Sequence, residues 1–194
     1  MAKVKGPLFS LSAGGQLAKT LVYGDWKGID WVRQYVIPAN PKTADQQEQR
    51  GFFTAAILAW HVDGYTKEDV DAWNLYALAQ KIAASGFNIF VKLKLLASIA
   101  VKTWGALTDC LIASITAAGC EVTIDVPSDL TGILYIGTSK TSMLTQFTGT
   151  YLDPGYTFTV IDLAADTRYY FYIENTIADE AARTGIYSFK TAAA

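Results

Sequence analysis

The sequence predicts an α+β chain in two parts, a β-hairpin with helices followed by an all-β sandwich. Three observations carry this. β-prone runs at Leu17–Tyr23 and Trp31–Ile37 flank a turn containing Gly24 and Gly28. Capped, helix-like segments fill most of the stretch from Thr43 to Trp104. From about Ala106 the chain changes to short runs rich in Val, Ile, Thr, Tyr and Phe, separated by Gly, Pro, Asp and Ser, at the spacing of a sandwich. With 194 residues the chain has room for two small domains, drawn here as 1–104 and 105–194.

The hairpin comes first. In Trp31–Ile37 the residues Trp31, Arg33, Tyr35 and Ile37 share one face, and Val32, Gln34 and Val36 the other. Neither face is polar. A lone hairpin of this size is marginal in water, so it is expected to be covered by its own helices or by another subunit. The stretch "IPANPKT" follows. Pro38 and Pro41 fix φ and hold the residues before them extended, which makes a stiff elbow.

Thr43 and Gln46 have the spacing of a capping box, so a helix is expected from there to about His61. Its start, "ADQQEQR", is polar. Its end, "FFTAAILAW", is apolar and expected to be buried. A second helix starts at Thr66, with Asp69 at the reciprocal box position and acids in the first turn, where the helix dipole favours them. Val70, Trp73, Leu75, Ala77, Leu78 and Ile82 give it a broad apolar face, and Ser85-Gly86 is read as its stop. The segment "FNIFVKLKLLASIAVKTW" fits either a helix or a strand alternating Val91, Leu93 and Leu95 with lysines; its length favours a helix.

Charge supports two modules. Residues 1–104 hold 12 Lys/Arg against 8 Asp/Glu, whereas residues 105–194 hold 4 against 10. The sequence pI of 5.3 argues against a general nucleic-acid binder. No apolar run is long enough to span a membrane, and the start carries no signal-peptide pattern, so folding in a cytoplasm is expected. Cys110 and Cys120 lack metal-site spacing and are read as reduced, buried thiols, with an intramodule disulfide as the other reading.

Motifs for chemistry are few, and neither a catalytic residue, a cofactor nor a metal is expected. His61 is the only histidine and has no Cys or second His beside it. "GTSKTS" lacks the nucleophile-elbow pattern, and "SAGGQLAKT" lacks phosphate-loop spacing. Asp125, Asp129, Asp153, Asp162 and Asp166 read as turn acids rather than calcium ligands. What stands out instead is Gly24–Arg50, which holds the only two arginines of residues 1–104. Arginine and tryptophan are the residues of interface anchors. The candidate interface is therefore Trp26, Lys27, Trp31, Arg33, Tyr35 and Arg50. The competing reading is internal, an Arg–Trp stack or ion pair that pins hairpin to helix.

Two resemblances add to this. The C-terminal part resembles a fibronectin type III or immunoglobulin-like domain, carried by "LAADTRYYFYIEN": Leu163 and Thr167 precede Tyr169, followed by Phe171 and Ile173. The resemblance implies that Tyr169 makes a corner bond to nearby backbone. The usual early Trp is absent, and Tyr135 lies near its place. The N-terminal part resembles a family of phage and prophage proteins through "WKGIDWVRQYVIPANPKTADQQEQR" followed by "SGFNIF". It implies a virion setting, made in a bacterial host's cytoplasm, with no enzyme activity. The expected function is then a capsid decoration or head-fibre-like protein, or a connector or tail component. Its partners would be other virion proteins, in a homo-oligomer or multi-copy assembly, with no membrane and no specific nucleic acid. The alternative is a carbohydrate- or host-surface-binding module using Tyr151, Tyr156 and Tyr187.

Overall fold

The computed structural model describes residues 2–3, 13–37, 39–81, 83–126, 132–175 and 179–194. Pro38, Ile82 and Asp129 lie outside them. The chain divides into two compact units, Met1–Thr43 and Ala44–Ala194.

The first unit is a small antiparallel sheet of four strands, β1 (Ala2–Lys3), β2 (Gly15–Leu17), β3 (Leu21–Trp26) and β4 (Ile29–Gln34), in the order β1-β4-β3-β2. The expected hairpin is present, but its strands run through the stretch read as a seven-residue turn. Trp26 pairs with Ile29 across a two-residue loop. Lys27 and Gly28 both have positive φ, 53° and 74°. That is the primed turn whose twist matches a right-handed strand pair, and Lys-Gly is a less familiar signal for it than Asn-Gly. Gly24 has a packing role: a Cβ there would lie 2.4 Å from the Trp31 indole, so the glycine lets the cross-strand ring lie over the sheet.

The second unit contains three helices, α1 (Ala44–Val62), α2 (Lys67–Ala79) and α3 (Gly86–Ile99). The α2 capping box is present as predicted, with Thr66 Oγ1 accepting from Asp69 N–H and Asp69 accepting from Thr66 N–H. The ambiguous third segment is a helix. Gly86 is not the stop of α2, which ends at Ala79, but the first residue of α3. A Cβ on Gly86 would lie 2.5 Å from the Trp73 and Asn74 backbone, so this glycine lets α3 start against α2. Phe90 is fully buried at the helices' centre, with Trp60, Tyr65, Trp73 and Trp104 rings 5.1–5.6 Å away. The apolar end of α1 is buried on one side only. Ala56 and Ala59 face inward, while Phe53, Leu58 and Val62 are exposed.

Two four-stranded antiparallel sheets form the sandwich. One runs β10 (Thr150–Leu152), β11 (Gly155–Val160), β7 (Cys120–Asp125), β6 (Thr108–Ala113). The other runs β14 (Tyr187–Lys190), β12 (Arg168–Asn175), β8 (Gly132–Gly137), β9 (Thr145–Thr148). Alternation sorts the faces: Val122 and Ile124, Leu134 and Ile136, Phe158 and Val160, Phe171 and Ile173 all point into the core. The run "MLTQFTGTYL" crosses from one sheet to the other at Gly149, where a Cβ would meet the Phe158 ring at 2.6 Å. Tyr169 makes the corner its resemblance implied, its hydroxyl accepting from Ala164 N–H at 2.9 Å. Tyr135 does not take the place of the missing Trp. It stays out of the core cluster and stacks on Tyr172, ring centres 4.9 Å apart.

The boundary expected at 104/105 is not where the chain divides, and the reason is physical. α2 docks on the sandwich. Ala72 belongs to the sandwich core, and its carbonyl accepts from Ile186 N–H at 2.9 Å. A Cβ on Gly185 would lie 2.3 Å from the Ala72 backbone. Asp69, read as a cap, is fully buried and does more. Its carboxyl oxygens also accept from Asp109 N–H, Cys110 N–H and the Tyr187 hydroxyl. A short parallel pair, β5 (Thr103–Trp104) with β13 (Glu180–Ala181), ties the end of the helical part to the sandwich as well.

Candidate attachment surface

Directly paired residues of an antiparallel sheet share a face. The register Trp26↔Ile29, Gly24↔Trp31 and Val22↔Arg33 therefore gathers Val22, Trp26, Ile29, Trp31 and Arg33 on one face of the first unit. The Arg33 guanidinium lies over the Trp31 ring at 5.6 Å from its centre, and Lys27 Nζ is 5.6 Å from that of Trp26. The Arg–Trp stack of the competing reading therefore exists, but inside the sheet. Tyr35 follows β4 and donates its backbone N–H to the Thr20 carbonyl at 2.7 Å.

None of residues 13–37 and 39–43 of this unit is buried. Trp26 is 67% exposed, Val36 67% and Ile37 76%. Sequence reasoning singled out Trp26, Lys27, Trp31, Arg33 and Tyr35, which do fall in this one unit. It missed Ile29, Val36 and Ile37 as exposed apolar residues, because a β-prone run gives no sign of which face lacks a partner. Arg50 falls in the other unit. It sits in the first half of α1, in the second unit, where its carbonyl accepts from Thr54 Oγ1 at 2.9 Å. Residues 13–20 of "SAGGQLAKT" supply β2 and the turn after it.

The other candidates resolve simply. Cys110 and Cys120 are free and buried. Burial pushes both thiols up, Cys120 to about 11. His61 is exposed in the last turn of α1. No group of three potential metal ligands occurs among the described residues, and no described helix is long and apolar enough to cross a membrane. The tyrosines named for a carbohydrate surface do not form one. Tyr156 and Tyr187 are buried in the core, Tyr187 bonded to Asp69, and Tyr151 packs half-buried against the same core.

No family model matches the sequence, and no curated protein does. Solved structures are similar over about half of the chain. The human fibronectin type III domain containing protein 3 has a fibronectin type III domain 18% identical, covering 48% of this chain and 88% of that one, TM-score 0.34. A computationally redesigned β-sandwich protein is 20% identical, covering 45% and 95%, TM-score 0.37. The multi-modular, cell-surface-expressed chitinase ChiW from Paenibacillus sp. str. FPU-7 is 14% identical, covering 46% of this chain but 8% of that enzyme, TM-score 0.36. The fold of Ala44–Ala194, a fibronectin type III-like sandwich with helices docked on it, rests on the strand order, the register and the Tyr169 corner.

Proposed function

We propose that this chain is a non-enzymatic structural component of a phage virion, held in the particle by its first unit and presenting the second. Its station is a capsid decoration, a head fibre or a connector or tail position, in multiple copies among other virion proteins. The virion setting comes from the sequence resemblance of residues 26–50. The observation that carries the attachment role is the exposed aromatic sheet of the first unit, in which none of residues 13–37 and 39–43 is buried. A sheet of this size acquires a core only by covering a face, and a neighbouring subunit supplies that cover. Trp26, Trp31 and Arg33 are residue types enriched at interface hot spots. The free, buried thiols of Cys110 and Cys120 suit folding in a reducing cytoplasm before assembly.

The test is incorporation. Trp26→Ala with Arg33→Ala is expected to abolish co-sedimentation with particles while the second unit keeps its unfolding transition. Normal incorporation of the double variant would remove the first unit from the attachment role.

A further inference from the structure

Helix α1 carries an apolar stripe that its own chain leaves uncovered. Ala56 and Ala59 set its buried side. Beside them Gly51, Ala55, Leu58 and Val62 recur at spacings of four, three and four, which on a helix is a single line. All four are exposed, Leu58 at 60% and Val62 at 67%. The line is graded: its N-terminal half is small and its C-terminal half is large.

Gly51 is the odd member. It lies inside α1, where glycine is the weakest helix former after proline. A Cβ there would meet nothing of this chain within 4 Å beyond its own helical turn. At Gly86 and Gly185, by contrast, backbone of the same chain would lie 2.5 and 2.3 Å from a Cβ. Close approach of a second backbone from outside the chain gives Gly51 the same role.

The stripe fits its own reverse. Laid antiparallel about a two-fold axis, with Gly51 opposite Val62 and Ala55 opposite Leu58, each large side chain meets a small one. Residues 51–62 of each helix then overlap along about 18 Å. A parallel pair would set Gly51 on Gly51 and Val62 on Val62, and would bring Glu48, the next position of the line, against its own copy. The antiparallel pair keeps the two Glu48 carboxylates at opposite ends and opposes the two helix dipoles.

We propose that α1 of one copy packs antiparallel on α1 of a second copy, so that the chain forms a two-fold dimer through this stripe. The inference does not rest on the virion reading, and it uses residues of the second unit only. One helix pair of this length is a small contact beside the standard of about 800 Å² per partner, so the dimer is a micromolar one.

Sedimentation equilibrium of the full chain tests it. A monomer–dimer equilibrium is expected, weakened about tenfold or more by Leu58→Glu. Leu144→Glu, the same change at a residue 83% exposed between β8 and β9, is expected to leave it unchanged. Ala55→Phe separates the seam from general stickiness. It adds exposed apolar surface, yet is expected to weaken the dimer because the opposing Leu58 needs that space. Cross-linking reads the register. Chains with Gly51→Cys and with Val62→Cys, mixed under air oxidation, are expected to form a disulfide-bonded dimer, and neither chain alone; Cys110 and Cys120 are buried. Monomer at every concentration up to about 1 mM, a dimer that survives Leu58→Glu or tightens with Ala55→Phe, or cross-links in each single variant alone would overturn the proposal.

Discussion

The two units answer the same requirement, hiding apolar surface, in opposite ways. Ala44–Ala194 buries Phe90, Trp73, Phe158 and Phe171 completely and closes a carboxyl group, Asp69, into a fully bonded junction. Met1–Thr43 spends two tryptophans and a run of β-branched residues on a sheet with no buried member among residues 13–37 and 39–43. The contrast teaches that aromatic content alone does not separate core from contact surface. What separates them is whether the opposite side of each ring is occupied by the same chain.

That contrast can be broken at its strongest point first. Asp69→Ala removes the acceptor of the buried Tyr187 hydroxyl and Cys110 amide and of the part-buried Asp109 amide. It should cost the second unit about 3–5 kcal/mol in chemical denaturation, as removal of one side of a buried polar network does. A loss below about 1 kcal/mol, the net worth of a single hydrogen bond, would show that the junction is not load-sharing between helices and sandwich. Gly185→Ala comes next. Its Cβ would enter the Ala72–Trp73 backbone, and about 1–3 kcal/mol of overpacking should appear in the same transition.

Alkaline pH probes the same unit without a substitution. Burial holds protons on Cys110, Cys120 and Tyr187 above their ordinary values of 9.0 and 10.0. The unfolded chain releases them at those ordinary values, so it binds fewer protons there than the folded one. Stability should therefore be full below pH 9, fall as pH rises past 9 and 10, and continue to fall as the folded groups titrate. Tyr187→Phe should flatten that slope, read from denaturation midpoints across the range. The smallest effect is expected in the first unit: Gly24→Ala displaces the Trp31 ring but should leave the main unfolding transition within about 0.5 kcal/mol, as for a surface change.

Much of this was legible in sequence. The sandwich strands were readable because Val122–Ile124, Leu134–Ile136 and Phe171–Ile173 alternate with less buried neighbours, and the Tyr169 corner because its local spacing fixes it. The boundary was not, since it depends on contacts distant in sequence. Asp69 shows the same capping-box spelling whether its second oxygen faces water or the Tyr187 hydroxyl. Gly86 reads as a helix stop, although its role is close approach to Trp73. The charge break was real but misplaced. Residues 1–43 hold six Lys/Arg against two Asp/Glu, whereas residues 44–104 are balanced at six and six, so the basic excess belongs to the first unit alone. At the candidate surface, Trp26 was found by residue type, while Val36 and Ile37 were missed because exposure is not written in a β-prone run.

The most direct test of this division compares the unfolding of three chains: the full protein, residues 44–194 and residues 105–194. Residues 44–194 should unfold in one cooperative transition at the midpoint of the full protein. Residues 105–194, deprived of the Ala72 and Asp69 contacts, should unfold at a clearly lower midpoint or show no cooperative transition. If instead residues 105–194 keep the full midpoint while residues 44–194 show two separate transitions, the helices do not belong to the sandwich, and the division at Thr43 is contradicted.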